Sequence, residues 1–159
     1  EAEARRAEAL GWRVVRLRTG IVLDPRGGAL AAMLPLYRAG LGGPLGAGRQ
    51  WWPWIDARDL AALIAHLLER GATGAVNAVA PEPIRQRDFA RALGRALRRP
   101  AFLPAPAPAM KALLGGFAGE LLASRRVVPG AARRAGFAWR HGALAAALAD
   151  LIASRKDMP

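Results

Sequence analysis

The chain has no cysteine, two histidines (His66 and His141), one tyrosine (Tyr37) and two lysines (Lys111 and Lys156) in 159 residues. The lack of cysteine removes disulfides, thiolate-ligated zinc, iron–sulfur clusters and a thiol nucleophile. Two separated histidines offer no His-based metal site, so no metal ligands are assigned. No apolar run approaches the roughly 20 residues of a membrane span, and the start lacks a secretory pattern. A cytoplasmic protein with no membrane partner is therefore expected. No G-x-S-x-G surrounds Ser124 or Ser154, and no G-x-G-x-x-G follows a strand-like run, so neither a nucleophile elbow nor a dinucleotide fingerprint is present. Gly43 to Gly48 does read G-x-x-x-x-G, but Arg49-Gln50 follows where a P-loop needs Lys and Ser or Thr. It also leads from a helix to a strand, the reverse of the phosphate-loop context.

What is present is apolar and basic. Hydrophobic residues make up 53% of the chain, enough for a folded core, and the net charge is +12 with a pI near 11.8. Such charge invites a nucleic-acid partner. Yet the basic residues, nearly all arginine, are spread from Arg5 to Lys156 with no block longer than two. Arg87, Arg91, Arg95 and Arg98 share one face of a helix by their spacing, which reads first as a solvated face and second as a docking surface for phosphates or an acidic partner. Beginning on Glu1, the sequence also reads as processed or as a piece of something longer.

Along the chain, residues 1–10 are strong helix formers stopped by Gly11. Residues 13–23 form a β-branched apolar run ended by Asp24-Pro25, the mark of a buried strand. Residues 29–39 are helical with a kink at Pro35. Five glycines and a proline make residues 40–48 a loop. A strand over 51–55, a helix over 60–70 capped by Asp56 or Asp59, a strand over 75–79 and an amphipathic helix from Gln86 or Asp88 to Arg98 follow. This alternation predicts an α/β fold. After the proline-rich stretch 100–108, helices are predicted at 109–115, 117–126, 130–135 and 142–153, a helical appendage to the α/β body.

Candidate catalytic groups are few. Tyr37 lies in an apolar helix with no lysine four residues on, which suits a core or rim aromatic better than a general acid. Asp56 and Asp59 sit at a helix start, where capping explains them without acid–base chemistry. His66 is expected to be partly exposed on its helix. No catalytic residue is assigned.

Three segments, RVVRLRTGIVLDPRGGAL (13–30), GLGGPLGAGRQWWPWIDARDLA (40–61) and GAVNAVAPEPIRQRDFARALGRALRRP (74–100), together resemble the C-terminal half of an extended, atypical short-chain dehydrogenase/reductase. The resemblance is closest to NAD-dependent epimerase-like proteins carrying G-x-G-x-Q-x-x-x-W-I-[HD]-x-x-D-L. RPAFLPAPAPAMKALLG (99–115), ELLASRRVVP (120–129) and AGFAWRHGALAAAL (135–148) resemble the small C-terminal domain of unknown function that ends those proteins. The resemblance implies the C-terminal part of a Rossmann-like parallel sheet, with residues 1–99 in the cofactor- and substrate-binding domain and 100–159 in a small helical domain. The glycine fingerprint and any Tyr-x-x-x-Lys pair would belong to a missing N-terminal half.

The implied cofactor is NAD or NADP, with NADP favoured, bound by the whole protein and not tightly by this chain alone. The segment Thr19-Gly20-Ile21-Val22 would pass the nicotinamide end, Val22 first and Gly20 second, although an apolar strand end needs no ligand to explain it. Arg49, Gln50, Trp52 and Trp54 would border the substrate cleft. Strand alternation puts Trp52 and Trp54 on one face and Trp51 on the other, one face core and one toward the cleft. Sugar-nucleotide epimerases carry Asn where Ile21 stands and Arg where Trp52-Pro53 stands, so a smaller or more apolar substrate is implied. The expected function is the substrate-side part of an oxidoreductase or epimerase-like protein, inactive alone. Its alternatives are a basic nucleic-acid-binding module and a family member with a structural role only.

Overall fold

A computed structural model describes residues 1–105, 119 and 122–154. The chain order is α1 (Ala2–Ala9), β1 (Val15–Thr19), β2 (Ile21–Leu23), α2 (Gly28–Arg38), β3 (Trp54–Asp56), α3 (Ala57–Glu69), β4 (Gly74–Ala78), α4 (Gln86–Leu97), α5 (Gly130–Arg134) and α6 (Leu144–Ser154). Both strand pairings are parallel: β1 with β4, and β2 with β3. Parallel pairs need crossovers, and α2 and α3 supply them. Among the described residues no helix is long and apolar enough to cross a membrane.

The apolar run expected as a single strand is divided at Gly20. Up to that point β1 pairs with β4, and the Gly20 N–H still donates to the Ala78 carbonyl at 3.0 Å. The two chains then diverge and β3 enters the fork. The Pro53 carbonyl accepts from Ile21 N–H at 2.8 Å, and the next carbonyl, Trp54, points the other way and accepts from Ala80 N–H at 2.6 Å. A β-carbon on Gly20 would lie 2.9 Å from both the Pro53 carbonyl oxygen and Val79 Cγ1. Only glycine fits the branch point.

Strand alternation then sorts the core onto two sides. Ile21, Leu23 and Trp54 point with Trp52 into a cluster closed by Leu30, Leu34 and Tyr37 of α2, Phe89 and Leu93 of α4, and Leu148 and Leu151 of α6. Val22 and Ile55 point the opposite way, joining Leu17, Val76 and Ala78 under Leu63 and Leu67 of α3 and Ala132 of α5. Apolar side chains on both faces of parallel strands, each covered by helices, make this an α/β fold.

Two expected elements are shorter than the pattern predicts. The strand over 51–55 starts only at Trp54, because Pro53 has no N–H to offer a ladder. Trp51 instead bridges Arg85 in antiparallel sense. The helix over 117–126 does not include residues 123–126, which run without helical structure. Their polar groups are spent elsewhere: Ser124 Oγ accepts from Trp51 N–H at 3.1 Å and Arg125 N–H donates to the Trp51 carbonyl at 3.4 Å. The expected helix at 109–115 lies outside the described residues.

Candidate functional site

The branch at Gly20 leaves open space beside it. Thr19, Gly20, Ile21 and Val22 line one wall of a cavity of about 290 Å³, with Gly28 and Ala29 at the start of α2, Pro53, and Ala123 and Arg125 around it. Its surface is mainly hydrocarbon and glycine backbone. A second hollow of about 560 Å³ shares Thr19, Gly20, Pro53 and Arg125 with the first and continues past Arg18, Asn77 and Val79 to Arg126 and Val128. The two form one groove along the carboxyl end of β1, where ligands of parallel α/β sheets bind.

The outer wall of this groove is the extended segment 123–128. Trp51 holds one end through the two backbone contacts given above, and Asn77 Nδ2 holds the other by donating to the Val128 carbonyl at 3.1 Å. Arg18 is drawn to the rim by the Glu1 carboxylate, with bonds of 2.7 and 2.9 Å. The Glu1 carboxyl is held down at about 2, chiefly by its hydrogen bond from Arg18. The groove therefore has an apolar floor and a basic lip.

The residues expected at a substrate cleft are placed differently from one another. Trp52 and Trp54 do share a face, but that face is the core: they are 0% and 2% exposed. Trp52 packs on Phe89 with ring centroids 4.2 Å apart. They are interior because the helices α2, α4 and α6 close over this side of the strands. Gln50 folds back on its own loop, Nε2 donating to the Leu45 carbonyl at 3.0 Å. Arg49 is exposed, and Trp51 is the half-buried indole, with the Arg85 guanidinium 3.6 Å from its centroid and that of Arg126 at 5.3 Å.

The glycine loop has a packing role. Gly42 lies against the Tyr37 ring, and a β-carbon on Gly43 would come within 2.0 Å of the Leu103 carbonyl oxygen. The loop clasps residues 103–105 through Leu103 N–H to the Gly42 carbonyl (3.2 Å) and Ala105 N–H to the Pro44 carbonyl (2.8 Å). Tyr37 is buried and donates to the Gly43 carbonyl at 2.9 Å, and burial pushes its phenol up to about 12. It is thus a core aromatic tying α2 to the loop.

Two polar roles escaped the sequence pattern. Asp56 caps α3, accepting from Arg58 N–H at 2.8 Å, but Asp59 does not cap. It is 2% exposed and accepts from the backbone N–H groups of Arg140 (3.1 Å) and His141 (2.9 Å), pinning the segment before α6 to α3. His66 is tied into the same packing, its Nε2 lying 2.8 Å from the Ala135 carbonyl. A carbonyl only accepts, so that nitrogen carries the proton.

Residues 105–151 match a domain of unknown function, DUF1731. An epimerase family protein of Mycobacterium bovis is 43% identical over 150 residues, covering 93% of this chain and 50% of that protein. The epimerase family protein SDR39U1 of Bos taurus is 46% identical over 144 residues, covering 89% of this chain and 49% of that protein. The chain thus spans about half the length of the curated relatives it matches. The crystal structure of human epimerase family protein SDR39U1 with NADPH superposes with a TM-score of 0.84 at 38% identity, over 92% of this chain and 49% of that one.

Proposed function

The chain belongs to the epimerase family, and from that membership we propose that it is the substrate-side part of an NAD(P)-dependent oxidoreductase or epimerase-like protein. In this reading residues 1–99 complete a Rossmann-like domain whose other half carries the glycine fingerprint, and residues 100–159 form a small helical domain. The observation that carries it is the cavity beside Gly20, lined by the whole Thr19–Val22 segment.

The cavity suits a nicotinamide ring. Ile21, Val22, Ala29 and Pro53 give it a mainly apolar lining, while Thr19 and Arg125 give it a polar edge. When bound, the cofactor supplies hydride exchange, and the protein supplies orientation and a dry site. Gly20 and Val22 would hold the ring from below through backbone, and the segment 123–126 would cover it. Trp51 and Arg49 lie on the substrate side of this wall. NADP is favoured over NAD as the natural cofactor, and the reading is of a cytoplasmic protein acting on a small molecule. The chain by itself is expected to be inactive.

Titration with NADPH tests the proposal. The chain alone should show no saturable binding, and the intact protein with its companion half should bind. Thr19→Glu, which puts a carboxylate on an exposed side chain at the polar edge of that cavity, should weaken binding to the intact protein by at least about tenfold. Unchanged affinity in that variant would move the cofactor away from the Gly20 cavity.

A further inference from the structure

A second constellation lies around Trp51 at the start of α4. Backbone bonds bring its parts together: Trp52 N–H to the Ile84 carbonyl (2.9 Å), Gln86 N–H to the Gln50 carbonyl (3.0 Å) and Arg87 N–H to the Gly48 carbonyl (3.0 Å). Gly48 has φ +63°, and a β-carbon there would sit 2.9 Å from Arg87 Cβ, so glycine lets the two segments close. This clasp gathers Arg49, Arg85 and Arg87 around a hollow of about 250 Å³ lined by these three residues.

The three guanidiniums have no carboxylate within 4.0 Å among the described residues. Asp88, the nearest acid in sequence, is directed to Arg91 at 3.9 Å. Arg85 stands at the N-cap of α4 and Arg87 in its first turn, where the helix dipole disfavours positive charge. Like charges gathered against a helix dipole, with no carboxylate among the described residues close enough to pair with them, are an arrangement that a bound anion relieves. The Arg85 group is also fixed in advance. It stacks 3.6 Å from the Trp51 ring centroid, and its NH1 donates to the Arg49 carbonyl at 2.6 Å. Stacking holds the plane of the fork and leaves its remaining N–H edge free to donate.

We propose that Arg49, Arg85 and Arg87, gathered beside the Trp51 indole, bind the phosphoryl group of a small phosphorylated ligand. A phosphoryl dianion offers several oxygens to several forks, which a carboxylate with one charge does not match as well. The first backbone N–H groups of α4 take no part, since Gln50, Gly48 and Arg85 carbonyls already accept from them. The hollow is of a size for one such group and not for a nucleic-acid strand. This site does not depend on the cofactor reading, because its hollow shares no lining residue with the Gly20 cavity.

Calorimetric titration of the intact protein with inorganic phosphate, at an ionic strength fixed with sodium chloride, tests it. One saturable site is expected. Arg49→Gln with Arg87→Gln leaves the Trp51–Arg85 stack in place and should weaken phosphate binding at least about tenfold. Arg85→Lys keeps the net charge but loses the stacked fork, and should weaken it by a comparable factor. Three results would overturn the proposal: chloride at equal ionic strength acting as phosphate does, affinity unchanged in the double variant, or a single-stranded oligonucleotide binding where phosphate does not.

Discussion

One side chain carries long-range order that its local sequence context gives no hint of. Asp59 sits in a capping position, and the sequence offers Asp56 and Asp59 as equivalent candidates. The structure separates them by partner: Asp56 turns to its own helix, while Asp59 reaches two N–H groups 81 and 82 residues away. Asp59→Ala should leave both donors without their acceptor and cost about 2 kcal/mol in denaturant unfolding, with Asp59→Asn costing less because one acceptor remains. Tyr37 makes a prediction about pH. Burial raises its phenol from 10.0 to about 12, so between those values the folded chain keeps a proton that the unfolded chain releases. Stability is therefore full below pH 10 and falls by about 3 kcal/mol as pH rises toward 12. Because the chain has one tyrosine, phenolate absorbance reports this group alone. The spectral midpoint should lie near pH 12 in the native state, and Tyr37→Phe should lose that alkaline slope.

At the scale of elements, the helices were legible and the junctions were not. Periodicity and end signals give α1, α2, α3, α4 and α6 to within a few residues, because Gly11, Gly71 and Asp56 act locally. The run over 13–23 reads as one strand because both halves are apolar. The break comes from a third strand, and Gly20 carries no local sign of a fork. Likewise 123–126 has helical composition, but hydrogen bonds to Trp51 draw it straight. The parity of Trp51, Trp52 and Trp54 was legible from strand alternation. Which face is interior depends on where α2, α4 and α6 land, which alternation does not contain. The glycines of the 40–48 loop show the same limit, since their density suggests a ligand cradle while Gly42 and Gly43 pack on Tyr37 and Leu103. Gly43→Ala should therefore cost about 3 kcal/mol by driving residues 103–105 off the loop. Gly71→Ala, in open space but at φ +63°, should cost only about 1 kcal/mol from backbone strain. Chemical unfolding of the two variants side by side separates contact from conformation.

At the scale of the whole molecule, one side of the surface is open and apolar. Among the described residues β1 pairs only with β4, so its other edge carries unpaired backbone groups. No residue of α1 is buried, and Leu10 and Trp12 beyond it are 78% and 72% exposed. Next to this edge, Val15 and Leu17 of β1 and Ile64 and Leu68 of α3 line an open apolar hollow of about 290 Å³. A sheet edge beside an apolar hollow is the surface a neighbouring strand and helix would cover, and the chain matches only about half of each curated relative. The net charge of +12 opposes association at low salt, but salt screens it and leaves the apolar contact. The chain alone should therefore self-associate as salt rises, sedimenting as species heavier than 16.8 kDa. Ile64→Glu with Leu68→Glu, one turn apart on the same face of α3, should return it toward the monomer with little change in stability, because both side chains are already exposed. If the companion half covers this face, adding it to the unmodified chain should suppress the heavy species in the same way, and the charged variant should no longer accept it.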